Sequence, residues 1–331
     1  MYVRVRTIFR SGILLALCLL VGTAPTLATE TLRIGVQSTG TFAWQLDVIR
    51  RHGLAARAGL DLKISEFASP DAGKLAVNSG SVDIAVVDWL WIARARALGA
   101  RLLFYPYSSA VGAIMVKNDS PLKKLEDLNG HVLGVAGGPL DKSWLMVQAA
   151  AIRGGIDLKR TATLQYGAPP LIAEKLQQGE ADASLNYWNF CASLETKGYR
   201  RIFEVRDAEA ALGLKEPIAV IGYVFSEPFA TAHKGAIDRF IAIAREANEI
   251  MMRSDEEWDA LRPLMNAADE QTFKAYRDRT REGMPRRPVA SEAADAATLF
   301  RTLAAIGGPS LVGPSQELDQ GLYYQPASGG E

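Results

Sequence analysis

The sequence predicts an α/β protein of two lobes, each a mostly parallel sheet flanked by helices. Three observations carry that expectation. Short β-branched runs alternate with amphipathic stretches from residue 32 onward, the alternation starts again near residue 114, and no Pro- or Ser-rich linker separates the halves. The chain has 331 residues, 48% hydrophobic and 22% charged, which is enough to bury a large core. Its formal net charge is zero, so nucleic acid has little electrostatic reason to bind.

Leu32–Val36 reads as a strand, followed by a helix with Trp44, Leu46 and Ile49 on one face and Ser38, Thr39 or Thr41 as its cap. Leu62–Phe67 is the second strand and SPDAGKLAVNSG a capped helix ending at Gly80. Val82–Val87 is the third strand. It runs straight into Asp88, Trp89 and Trp91 and a helix that Gly99 stops, and Arg101–Tyr105 is the fourth strand. The pattern then repeats. A strand leads to a short helix closed by Gly130. HVLGVAGG is a strand with a glycine turn, PLDKSWLMVQAAAIRGG a helix, LKRTATLQYG a strand, and APPLIAEKLQQGEADASLNYW a helix then a strand. IAVIGYVFS is a return crossing. Beyond it four amphipathic stretches, with a capping box at Ser254 and Glu257, read as helices packed on the first lobe. PASGGE reads as a disordered end.

The N-terminal segment reads as a secretory signal. Arg4, Arg6 and Arg10 precede the apolar SGILLALCLLVG, which is too short to span a bilayer comfortably, and Thr26 and Ala28 offer a small-x-small site. Cleavage after Ala28 leaves a slightly acidic mature chain. Cys18 leaves with the segment. It is not expected to carry a lipid, because Leu17 precedes it. Cys191 then remains alone in an apolar context, which reads as a packed thiol without a disulfide.

Common catalytic motifs are missing. The three histidines, His52, His131 and His233, are not at metal-ligand spacing, and there is no HExxH, CxxC, G-x-S-x-G or Walker loop. GVAGG, with Gly134, Gly137 and Gly138, is not a dinucleotide fingerprint. Neither a cofactor nor a resident metal is expected, and the chain does not read as an enzyme.

What remains is a set of strand-to-helix turns. In open α/β sheets ligands sit beyond the C-terminal strand ends, beside helix N-termini. The turns supply Ser38, Thr39, Thr41 and Trp44; Ser69 and Asp71; Asp88, Trp89 and Trp91; Gly138, Asp141 and Trp144; Tyr166; and Asn186, Tyr187 and Trp188. Five of the six tryptophans fall in or beside these turns, and Trp258 lies elsewhere. Turns are mostly surface, so the clustering suggests a cleft with flat aromatic walls. The backbone turn decides whether Trp89 or Trp91 faces it, and Trp89, next to Asp88, is the expected one.

FASPDAGKLAVNSGSVDIAVVDWLWIARARALGA, SPLKKLEDLNGHVLGVAGG and IAEKLQQGEADASLNYWNF together resemble the periplasmic solute-binding proteins of ABC importers. The group with the most similar motifs serves nitrate, taurine and other sulfonates, and the pyrimidine precursor of thiamine. The similarity covers roughly 31–230. It implies a type II-like periplasmic-binding-protein fold whose lobes close on a ligand like a hinge, with β crossings near Gly112–Val116 and Gly222–Ser226. With the signal segment over 1–28 set aside, it implies a first lobe over 29–113 and 224–331, and a second over 114–223. It also implies a monomer in the periplasm with two partners, a small-molecule ligand and an inner-membrane permease/ATPase complex.

Two departures bear on the ligand. Where sulfonate binders tend to have a small residue before Asp-Ala-Pro, this chain has Asp88, Trp89, Leu90 and Trp91. The proline of the aromatic-x-Pro element is missing from Tyr187, Trp188 and Asn189. An ionised, unpaired Asp88 in a dry cleft would repel a sulfonate, so a neutral or cationic ligand with a flat part is expected. Asp71, Asp88 and Asp141 could alternatively converge on a hard cation or a metal chelate, or Asp71 and Asp141 could simply be helix N-terminal acids. A periplasmic sensor and a biosynthetic enzyme on the same fold are the competing functions.

Overall fold

The computed structural model describes Met1, residues 29–38 and residues 40–327. The expected signal segment with Cys18, Thr39, and residues 328–331 of the expected disordered end lie outside the described residues. Among the described residues there are ten strands: β1 (Glu30–Gln37), β2 (Leu60–Phe67), β3 (Ile84–Asp88), β4 (Leu102–Ser108), β5 (Ala113–Lys117), β6 (Val132–Ala136), β7 (Thr163–Gly167), β8 (Ala183–Asn186), β9 (Tyr199–Glu204) and β10 (Ile221–Ser226). They form two five-stranded sheets, ordered β2-β1-β3-β10-β4 and β7-β6-β8-β5-β9.

Each sheet has a parallel core and one reversed strand. β1 pairs in parallel with β2 and β3, while β10 runs antiparallel to β3 and β4. β6 pairs in parallel with β7 and β8, while β5 runs antiparallel to β8 and β9. The reversed strands, β5 and β10, are the first strands after each passage between the sheets. The chain passes from Ser108 to Ala113 and returns between Glu204 and Ile221.

Glycine is required where these passages are tight. A Cβ on Gly112 would fall 1.7 Å from the Asn186 carbonyl oxygen, and one on Gly222 would fall 2.4 Å from that of Tyr105. Both contacts are far inside van der Waals distance, so no side chain fits at either position.

Local chemistry explains the helix starts that face the cleft. Ser69 Oγ accepts from the Ala72 N–H (3.3 Å), with Pro70 in the first turn. Asp88 Oδ1 accepts from the Trp91 N–H (2.7 Å), which starts the helix Trp89–Ala97 on the last residue of β3. Asp141 Oδ1 accepts from the N–H groups of Ser143 (2.9 Å) and Trp144 (3.4 Å), which starts Lys142–Arg153. Thr41 stands at the start of Phe42–Arg51 without capping it through its side chain.

Several expectations need correction. LKRTATLQYG is not one strand: Leu158–Thr161 is a helical turn before β7. The edge strand β9 and the helix Val205–Ala211 give no clear sequence signal, because every residue of β9 is half-buried and Arg200 and Arg201 break its apolar pattern. Ser254 Oγ accepts from Glu257 N–H (3.3 Å), but the Glu257 carboxylate does not close a capping box. It pairs instead with Arg51 (2.7 Å) and His52 (2.8 Å).

The C-terminal helices also do more than cover the first sheet. Glu270–Gly283 packs against Trp188–Glu195, with Thr196 and Thr272 hydroxyls 3.1 Å apart, and Val289–Gly307 packs on Lys142–Arg153. That last helix and the turn before it tie down the return passage: Glu292 accepts from the Ala219 N–H (2.9 Å), and Arg287, just ahead of the helix, donates to the Pro217 carbonyl (3.1 Å). Among the described residues no helix is long and apolar enough to cross a membrane.

Candidate functional site: the interlobe cleft

A cavity of about 130 Å³ lies between the two sheets, at the C-terminal ends of β1, β3, β6 and β8. The first lobe contributes Thr41, Phe42, Lys74, Val87, Asp88 and Tyr107 to its lining. The second contributes Asp141, Lys142, Ser143, Tyr187, Trp188, Asn189 and Phe190. This is the location that doubly wound sheets give to ligands.

The electrostatics differ from the sequence expectation because of Lys74. Its ammonium lies 3.4 Å from Asp88 and 3.4 Å from Asp71, and it also feels the charge of Asp141. Burial opposes that ammonium, yet the carboxylates prevail and hold its pKa above the ordinary lysine value. Asp88 is therefore paired, and the repulsion expected of an isolated carboxylate does not arise. Two of the three acids, Asp71 and Asp88, meet a cation that is the protein's own, and Asp141 adds its charge from across the cleft. No group of three or more His, Cys, Asp or Glu able to hold a metal occurs among the described residues.

A second pair faces the first across the cleft. Tyr187 donates its hydroxyl to Asp141 Oδ2 (2.9 Å). Lys142 lies 3.9 Å from the same oxygen and 4.6 Å above the Tyr187 ring, at cation–π distance. Burial, reinforced by Asp141, pushes the Tyr187 hydroxyl well above its usual range and keeps it a donor. Gly137 makes this possible. It has a φ of +89°, and a Cβ there would fall 2.9 Å from Asp141 Oδ2 and 3.1 Å from Tyr187 Oη. Tyr187→Phe is expected to cost about 1 kcal/mol, the usual net worth of such a bond, measured as a lower urea midpoint with an unchanged slope.

Of the sequence-predicted residues, the structure brings Thr41, Asp88, Asp141, Tyr187 and Trp188 to the cavity wall. The others are placed as follows. Trp89 is wholly buried and tilts against Phe300 at 6.4 Å, so it faces the core and not the cleft. The helix begins at Trp89 itself, and the first helical turn swings that side chain behind the sheet. Trp91 is half-buried, with Lys74 Nζ 6.0 Å from its ring. Trp144 is wholly buried in the second lobe.

Trp44 is 5% exposed and stacks on Tyr276 at 5.9 Å. Asn186 is buried; it donates to the Pro169 carbonyl (3.0 Å) and accepts from the Tyr187 N–H (2.8 Å). Ser69 is a cap, and the Asp71 side chain is 86% exposed. Ser38, Gly138 and Tyr166 lie off the cavity wall, Tyr166 being 38% exposed. Thr39 lies outside the described residues.

One tryptophan, Trp188, therefore lines the cavity. The remaining aromatic wall is Phe42, Tyr107, Tyr187 and Phe190. Sequence reasoning missed Lys74, Lys142, Phe42 and Tyr107. Lys142 and Phe42 sit in turns already singled out, so the turn rule could have found them. Lys74 lies a full turn inside its helix, where only tertiary packing brings it to the cleft.

Fold and cleft together define the class: a two-lobe α/β protein of the periplasmic-binding-protein fold. The solved structures similar to it agree. One is the alkanesulfonate-binding protein SsuA from Xanthomonas axonopodis pv. citri bound to MOPS, at TM-score 0.69 and 18% identity over 90% of this chain and 99% of that one. Another is the periplasmic aliphatic sulphonate binding protein SsuA from Escherichia coli, at TM-score 0.71 and 22% identity over 91% and 94%. A third is a ligand-binding component of an ABC-type import system from Staphylococcus aureus with zinc bound, at TM-score 0.66 and 13% identity over 90% and 97%. The chain belongs to the family described as NMT1/THI5 like, which matches residues 48–257. No curated protein matches it.

Proposed function

We propose that this protein is the periplasmic solute-binding component of an ABC importer, which captures a small ligand between its lobes and delivers it to a membrane permease. The observation that carries this reading is the cavity shared by both lobes at the strand ends, in a family member whose structural neighbours bind solutes. Catalysis is no part of the reading. The basic, apolar and small-residue succession over 1–28 supports export.

The hydrogen-bond inventory narrows the ligand. Both carboxylates in the wall are committed: Asp88 to Trp91 and Lys74, Asp141 to two backbone N–H groups and Tyr187. Lys142 and Ser143 line the cavity and carry side-chain donors. The two wall pairs cancel in formal charge. These features favour a compact ligand rich in acceptors, with a flat face to lie on Trp188 and Phe42, and neutral or zwitterionic overall. Lys74 occupies the position that a bare cation would take.

The test is native mass spectrometry of whatever co-purifies with the mature protein, followed by thermal melts with amines, pyrimidines, sulfonates, nitrate and flavins. A true ligand at about one hundred times its Kd adds about 2.7 kcal/mol and raises Tm. No co-purifying molecule and no Tm shift across the panel would sink the reading. An intact Met1 on protein from a cytosolic extract would sink the periplasmic assignment.

A further inference from the structure

We propose that a small chamber behind the cleft is a polar subsite for one heavy atom, filled by a water when no ligand reaches it and by a ligand hydroxyl when one does. The ligand part rests on the cleft reading above; the water part does not. The chamber measures about 10 Å³ and shares Thr41, Tyr107 and Trp188 with the main cavity. Gln45, Ser108, Asn248 and Thr280 complete its polar lining. That room suits one water, which needs two to four polar partners.

The partners are there. Gln45 is fully committed: its Nε2 donates to the Ala244 carbonyl (3.1 Å) and Asn248 Oδ1 (2.7 Å), and its Oε1 accepts from Tyr223 (2.6 Å). This fixes the Asn248 amide by its oxygen and leaves the Nδ2 hydrogens of this half-buried lining residue available as donors. Ser108 Oγ accepts from the Ala110 N–H (3.1 Å) and keeps its own hydrogen. Thr280 Oγ1 donates to the Tyr276 carbonyl (2.7 Å) and keeps its lone pairs. Tyr107 is 8% exposed, and its hydroxyl meets Thr41 at a long 3.4 Å, so the pair is poorly satisfied by itself. Two donors, one acceptor and a weak hydroxyl pair around a water-sized space make a site, where an apolar group would strand them.

Crystals of the mature protein, unfolded and refolded to release any co-purifying molecule, before and after a methanol soak, test this at a resolution that shows ordered water. One peak within hydrogen-bond distance of Asn248 Nδ2 and Ser108 Oγ is expected, replaced after the soak by a methanol oxygen with its methyl group toward Tyr107 and Trp188. Asn248→Leu should abolish the peak. Ser108→Ala, which leaves the Gln45–Asn248 bond intact, should weaken it. A dry chamber, a peak indifferent to both substitutions, or a water that methanol does not displace overturns the proposal. The wild-type peak is read without any cleft ligand, so failure of the importer reading would leave it in place.

Discussion

Replacing Glu209 by Gln raises stability at neutral pH, and the gain grows as pH rises. Glu209 lies on the helix Val205–Ala211, is 2% exposed, and its Oε1 meets no hydrogen-bond partner among the described residues. Burial pushes its carboxyl up to about 8, and the charge of Arg206 offsets only part of that. In the unfolded chain the group titrates near the ordinary 4.5. The native state thus holds a proton that the unfolded state releases. This contribution to stability is whole below about pH 4.5, falls as pH rises toward about 8, and is flat above that. At about 1.4 kcal/mol per unit as the ceiling, the loss is on the order of 2–4 kcal/mol. Urea unfolding of both proteins at about pH 5 and about pH 8.5 reads it. The midpoints should nearly coincide at the lower pH and separate at the higher, with the variant the more stable. Parallel pH profiles would show that Glu209 titrates like an exposed carboxylate.

Removing the ammonium of Lys74 is the second large effect. In Lys74→Met the Asp88 carboxylate, whose side chain is 9% exposed, keeps only the Trp91 N–H. Breaking a buried pair from one side costs about 3 kcal/mol, because the remaining charge stays desolvated. The double variant Lys74→Met with Asp88→Asn should recover most of that loss, since Asn still accepts from Trp91 and carries no charge. Asp88→Asn alone should leave the fold intact and shift the affinity of the co-purifying molecule at least about tenfold, as the freed ammonium re-aims toward the cleft. Additive single losses in the cycle would show that the 3.4 Å pair carries no coupling. An unchanged affinity in Asp88→Asn would reduce Asp88 to a helix cap.

The fold was legible because period and punctuation act locally. Leu32, Ile34 and Val36 are each no more than 2% exposed, as a buried strand requires, and Gly80 ends its helix at a φ of +73°. The turns that meet the cleft were also legible, since a capped helix following a strand is a local pattern. β9 was not, because half-buried edge positions tolerate arginines and erase the alternation.

The site was read less well, and Trp89 shows why. A tryptophan in a turn can point either way, and the choice depends on what waits behind the sheet, here Phe300 from a helix more than two hundred residues away. By itself the sequence determined two α/β lobes, their strand-to-helix turns, and the position of the cleft along the chain. Only the tertiary structure decided which side chains enter that cleft. It alone set Lys74, already spaced to meet Asp71 on its own helix, against Asp88 and within the field of Asp141, because charges on separate elements compensate through space and no spacing along the chain records those distances.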